Sequence, residues 1–265
     1  MTKRISKIEN DVQDRSSVAW KKLCDYIDQI AENENDEFSP LELLGGKLFS
    51  EIHTLPESIG NLKKVKKLWL YGSRLKRIPP EIGQMESLEY FDPYTSYDLH
   101  WFPYEITNCK NLKDSRISTR ALYGNYKNRM GFPRLDHNPV RYHGDEVYCS
   151  ICKKEMTYEE SNQLWITLRI ATDIVPLLVN LCSKECEETL PEPPENYIQF
   201  PHKGGSSLAQ PPDWPTQSEM LWKLGIEKKE ESVVEQKNEI LKEPNIKAVE
   251  KPIKTLKLIR KIWEK

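Results

Sequence analysis

IHTLPESI, residues 52–59, is answered by LKRIPPEI at 75–82 and LHWFPYEI at 99–106. The offsets are 23 residues and then 24. Each string is apolar at its first, fourth and eighth positions and carries proline at its fifth. The pattern continues with Leu62 and Val65, then Met85 and Leu88, then Cys109 and Leu112. A period in the twenties with apolar residues at fixed offsets means one small structural unit used several times. A single such unit cannot bury its own apolar side chains, so neighbours must stack and share a core.

The first unit runs Val65-x-x-Leu68-x-Leu70-x-x-Ser73-x-Leu75. Residues 40 to 120 therefore resemble leucine-rich repeat proteins with LPxxIGxLxxLxxL units, with Ser73 where that pattern has asparagine. The resemblance implies short parallel strands lining one face, and protein–protein recognition on it. Asp92-Pro93 and Ser115 depart from the pattern, so a bulge or a capping unit is expected after residue 91. Residues between the core positions point away from the core: Lys67, Trp69 and Tyr71, then Tyr90, Asp92 and Tyr94, then Asp114, Arg116 and Ser118. Tyr, Trp and Arg dominate interface energetics, so this set without Ser118 is the expected partner-binding surface. The competing reading packs these aromatics against flanking segments of the same chain.

Ahead of the repeat, SSVAWKKLCDYIDQIAENENDEF offers a serine cap and apolar positions Val18, Trp20, Leu23, Cys24, Ile27 and Ile30 at helical spacing. The helix is expected to cover the open end of the array, with Cys24 buried. Behind the repeat, residues 121–147 are punctuated by Gly and Pro and read as a structured connector. Arg120, Lys127, Arg129, Arg134 and Arg141 make that region basic.

Four of the six cysteines form two close pairs, Cys149-x-x-Cys152 and Cys182-x-x-x-Cys186. Paired thiols at this spacing read as a closed four-thiolate structural zinc site, in preference to two disulfides or a catalytic metal. His143 is a conceivable substitute ligand that the all-cysteine set does not need. Between the pairs, Gln163–Ala171 and Ile174–Leu181 read as a β-hairpin turning at Thr172-Asp173, and Cys186 opens a short helix ended by Pro191. That order is similar to a treble-clef zinc finger, and LCSKEC to the second knuckle of the TRASH and MYM-like members. A RING-type module would need more ligands than the chain supplies.

The expected fold class is α/β: a short leucine-rich-repeat solenoid with an N-terminal capping helix, then a small zinc-stapled α+β module and a Pro-rich, charged tail. The expected boundaries are 1–37 for the capping helix, 38–125 for the repeats, 126–147 for the connector, 148–205 for the zinc module and 206–265 for the tail. The Pro-rich segment, with Tyr197, Phe200 and Trp214, is expected to dock. His202 is expected on the surface. KPIKTLKLIRKIWEK, at the end of the sequence, is a candidate basic amphipathic helix.

No nucleophile elbow, HExxH, phosphate loop or dinucleotide fingerprint occurs, and PHKGGSS lacks the phosphate-loop spacing. The expectation is a non-enzymatic protein that binds a protein partner and holds structural zinc. A net charge of -2 argues against a surface devoted to nucleic acid. The rivals are a nucleic-acid-associated regulator using the zinc module and basic tail, and an enzyme with Cys24 or Cys109 as nucleophile. The first residues carry no apolar signal region, and the most apolar stretch, 164–181, contains Arg169, Asp173 and Pro176. A cytoplasmic protein without a membrane span is therefore expected.

Overall fold

The computed structural model describes residues 8, 10–125, 130–135, 139–194 and 202–210. Lys127, Arg129, His137, Tyr197, Phe200, Trp214 and the candidate basic helix lie outside the described residues.

Helix α1 (Val18–Glu32) begins where expected, with the Ser17 hydroxyl accepting from the Trp20 N–H. Ala19, Trp20, Leu23, Ile27 and Ile30 are buried. Val18 is 63% exposed, because it sits in the first turn beside the cap rather than on the packed stripe. Cys24 is only half-buried. There follow strand β1 (Glu37–Phe38) and helix α2 (Pro40–Phe49), the latter interrupted at Gly45 with φ +68°.

The three related strings then produce three related turns. Each proline leads into a 3-10 turn: Glu57–Asn61, Pro80–Gln84 and Tyr104–Asn108. Two glycines let the turns stack. A Cβ on Gly60 would lie 3.1 Å from the Glu81 carbonyl oxygen, and one on Gly83 only 2.3 Å from that of Glu105. Strands β2 (Lys67–Trp69), β3 (Tyr90–Asp92), β4 (Phe102–Pro103) and β5 (Asp114–Ser115) complete this half. Strands β1, β2, β3 and β5 form a parallel sheet in that order, with Lys67 opposite Tyr90 and Tyr90 opposite Asp114. The sequence offsets thus become the register. Leu68, Leu70, Leu75, Ile78, Ile82, Met85, Leu88 and Phe91 are fully buried beneath the sheet.

The second half contains β6 (Glu146–Tyr148), β7 (Glu155–Thr157), β8 (Asn162–Ile170), β9 (Asp173–Leu181), helix α3 (Lys184–Glu188) and β10 (Lys203–Gly204). The hairpin is present, with Ile170 opposite Asp173 and Asn162 opposite Leu181, so it turns at Ala171-Thr172, one residue earlier than expected.

The expected solenoid followed by a separate zinc-stapled module is corrected here. The architecture is mixed α/β: a parallel sheet, a mixed four-stranded sheet ordered β10-β8-β9-β4, a two-stranded antiparallel sheet β6-β7, and three α-helices among the described residues. The third string does not simply extend the first sheet. Its Phe102-Pro103 pairs in parallel with Leu177-Leu178 of the hairpin. At the edge of the parallel sheet, the Ser115 hydroxyl bonds to Asp173 at 2.8 Å and Thr172 at 3.1 Å. The physical cause is an exposed edge that needs a partner. One apolar cluster accordingly runs from Leu23 through Phe91 and Phe102 to Val175 and Leu181.

A second cluster gathers Trp101, Tyr123, Phe132, Val140, Trp165 and Leu178. His202 belongs against it and is not a surface residue: it is 6% exposed and its ring lies 4.6 Å from that of Phe132. Strand β10 seats it there, since Lys203 and Gly204 pair with Ile166 and Trp165.

Candidate metal centre and sheet face

The four cysteines come together. The sulfurs of Cys149, Cys152, Cys182 and Cys186 all lie within 4.8 Å of one another. Cys152 Sγ is 3.4 Å from Cys182 Sγ, and Cys182 Sγ is 3.7 Å from Cys186 Sγ. A disulfide requires about 2.05 Å, and all four thiols are free. Four thiolates at about 2.3 Å from a tetrahedral ion would stand about 3.8 Å apart. The cluster can therefore hold a metal ion as it stands.

Local structure makes this possible at both ends. β6 and β7 form a tight hairpin around the first knuckle, with Cys149 N–H donating to the Lys154 carbonyl at 2.8 Å. Lys153 follows the second cysteine at φ +64°, the left-handed turn that reverses the chain. The second knuckle hangs from the end of β9. There the Ser183 hydroxyl accepts from the Cys186 N–H and starts α3. Ser150 joins the two knuckles: its N–H donates to the Asn180 carbonyl at 2.7 Å, and its hydroxyl accepts from the Asn180 N–H at 3.0 Å. Spacing alone did not reveal that Ser150–Asn180 lock, because nothing in a C-x-x-C turn names the partner of its second residue.

The thiols are electrostatically unequal. Burial opposes ionisation of Cys149, but donors from the backbone of Cys152, Ile151 and Cys182 outweigh it and bring the thiol down to about 7. Cys182 is pushed up to about 12, first by its contact with Cys152 and then by burial and the other sulfurs. Cys186 is also raised: the Ser183 hydroxyl favours its thiolate, but burial and Cys152 prevail. One thiolate is welcome in the cluster, and a second next to it requires a positive charge.

No protein-family model, curated protein or solved structure matches this chain.

The sheet residues named from the sequence also meet, with exceptions. Trp69 and Tyr90 have ring centroids 4.9 Å apart, and Tyr71 and Tyr94 are 6.1 Å apart. The Arg116 guanidinium lies 4.5 Å over the Tyr94 ring. Tyr71 is 47% exposed and Tyr94 37%. Lys67, Asp114 and Arg116 are exposed beside them. Asp92 is different: it is buried at 1% exposure, and its carboxylate accepts from the Tyr94 N–H at 2.9 Å and the Tyr90 hydroxyl at 3.1 Å. Pro93 ends the strand there, and the carboxylate folds back to hold the turn. Ser118 is likewise buried, accepting from Thr95 N–H.

Glu37 was missed because it precedes the repeat. Its carboxylate takes Lys67 Nζ at 2.6 Å and Trp69 Nε1 at 3.1 Å. Those two donors, Lys67 first, hold it below the usual carboxylate range.

Among the described residues, no helix is long and apolar enough to cross a membrane.

Proposed function

We propose that this is a non-enzymatic interaction protein, binding a protein partner on the outer face of the parallel sheet, with a structural zinc ion at the four-cysteine centre. The observation that carries the reading is the aromatic ladder on that face, half-buried Trp69–Tyr90 and exposed Tyr71–Tyr94, with Arg116 laid over Tyr94. Aromatic rings and arginine held rigid by their neighbours lose little entropy on binding and supply most interface energy. Lys67, Trp69, Tyr71, Tyr90, Tyr94, Asp114 and Arg116 make up the proposed surface, and the buried Asp92 carboxylate ties Tyr90, Tyr94 and Arg116 together within it.

Zinc is favoured because four soft thiolates at tetrahedral spacing are the donor set of structural zinc, and a structural role because that closed shell leaves no open position for chemistry. A non-catalytic role is favoured by the remaining thiols. Cys109 is pushed up to about 12 by burial and donates to the Ile82 carbonyl, and burial also raises Cys24. Neither is primed as a nucleophile.

The test is affinity capture from the native host with wild type beside Trp69→Ala/Tyr71→Ala/Tyr90→Ala, with the fold of the variant checked by its melting transition. Capture of a defined protein that disappears with the folded variant supports the reading. Equal capture by both refutes it, and capture of nucleic acid that is released by salt favours the rival reading.

A further inference from the structure

A cavity of about 710 Å³ opens between the 3-10 turns at Pro80–Gln84 and Tyr104–Asn108 and the segment leading into β6. It shares no residue with the sheet face or the four cysteines. Its size suits a small organic ligand.

Three of its lining groups carry polar atoms that are buried and have no hydrogen-bond partner among the described residues: Glu81 Oε2, Glu105 Oε2 and the Tyr142 hydroxyl. Glu105 is 7% exposed, so its carboxylate is deep in the wall. A buried carboxylate oxygen without a donor is costly and calls for one. The Glu105 carboxyl has the Ser150 hydroxyl as one partner and feels the charge of Lys153 in the same cavity wall, but the cations themselves are bonded to other acceptors. Lys153 Nζ donates to the Ser150 carbonyl at 2.9 Å, and Arg15 forks onto Glu57 at 2.7 and 2.8 Å. No ion pair to Glu81 or Glu105 occurs among the described residues. At the mouth, Asp145 and Glu146 add further acidic groups.

Glu81 and Glu105 are equivalent residues of two stacked turns, 24 positions apart. Adjacent units of a parallel stack stand about 5 Å apart, a span that one planar guanidinium or amidinium can bridge. Tyr142 and Tyr158 also line the cavity, and the Arg141 guanidinium 4.9 Å over the Tyr158 ring shows that such a planar cation is accommodated beside it. A bare metal ion fits less well. The one group of three or more ligand residues within 4.8 Å of one another, among the described residues, is the cysteine cluster. Burial also pushes both carboxyls above their usual range, which a bound cation would reverse.

We propose that this cavity binds a small organic cation with N–H donors, an amidinium, guanidinium or amine, with Glu81 and Glu105 as charge partners and the Tyr142 hydroxyl as a hydrogen-bond partner. Titration calorimetry on the full, metal-loaded chain tests it, with benzamidine as probe, agmatine as a second cation, benzamide as the uncharged isostere and magnesium chloride as the metal arm. Benzamidine or agmatine should saturate one site, with benzamide at least about tenfold weaker. Glu105→Gln should lose about tenfold or more in affinity, since each charged hydrogen bond removed carries that much. Glu81→Gln, at the less buried of the two carboxylates, repeats the test should Glu105→Gln fail to fold. The proposal is overturned by no saturable binding of either cation, by benzamide matching benzamidine, by folded variants that bind as wild type, or by magnesium displacing benzamidine.

Discussion

The hydroxyl of Ser115 donates to the carboxylate of Asp173 at 2.8 Å, across 58 residues of sequence. That bond, with the neighbouring contact to Thr172, closes the edge of the parallel sheet with the tip of the hairpin. Ser115→Ala should destabilise the protein by about 1–2 kcal/mol, read by urea unfolding. It should also raise the pKa of Asp173 further. Burial, the largest influence, already raises it, and the Ser115 hydrogen bond is the strongest force acting the other way. The same dependence predicts that a chain ending at residue 125 does not fold cooperatively, because Phe102 and the sheet edge lose their cover. A sharp melting transition for that fragment would contradict this.

Gly83 provides a sharper structural test. A Cβ there would meet the Glu105 carbonyl oxygen at 2.3 Å, and backbone cannot swing aside. Gly83→Ala should cost about 2–3 kcal/mol. Gly46, whose added Cβ would meet nothing within 4 Å, sits in α2 and should tolerate alanine with no loss. Paired melting curves of the two variants decide the point.

How much of this was legible beforehand follows from which interactions are local. The 23- and 24-residue offsets gave the parallel register directly, because residues at one offset become neighbours in one sheet. The cysteine spacing likewise named the two knuckles and the apolar runs named the hairpin, although its turn falls at Ala171-Thr172, one residue before the expected place. What stayed hidden was long-range. Nothing in FP at 102–103 announces a strand partner at Leu177, and a serine at 115 does not say that it will bond Asp173. His202 looked polar and exposed because its sequence neighbours are polar and glycine-rich. Its burial comes from Phe132, 70 positions earlier. Asp92 fitted the outward face by periodicity and lies on it, but Tyr90, Tyr94 and Arg116 close over its carboxylate and bury it.

His202 makes stability depend on acid. Burial alone depresses its pKa to about 4 from 6.5. The folded state therefore binds fewer protons than the unfolded state in that window. The contribution is fully present above about pH 6.5 and is lost as pH falls through about 4. The shift corresponds to about 3 kcal/mol. Denaturant midpoints of wild type and His202→Phe should diverge between these limits, with the variant flatter. Parallel curves would contradict the assignment.

Metal removal should loosen the knuckles. One divalent ion per chain is expected by elemental analysis, and Cys182→Ser should lose most of it. Uptake must release protons, since Cys182 and Cys186 hold theirs while no cation is present. Affinity, read by chelator competition, should therefore fall as the solution is acidified below neutral. A pH-independent affinity would exclude thiolate ligation.

The central claim is that the aromatic sheet face is a protein-binding surface. Its most direct test is a photo-crosslinking residue at position 71, compared with one at the exposed Lys110 outside that face, irradiated in native host extract. The account predicts a discrete crosslinked protein from position 71 and none from position 110. Silence at 71, or the same products from both positions, would contradict it.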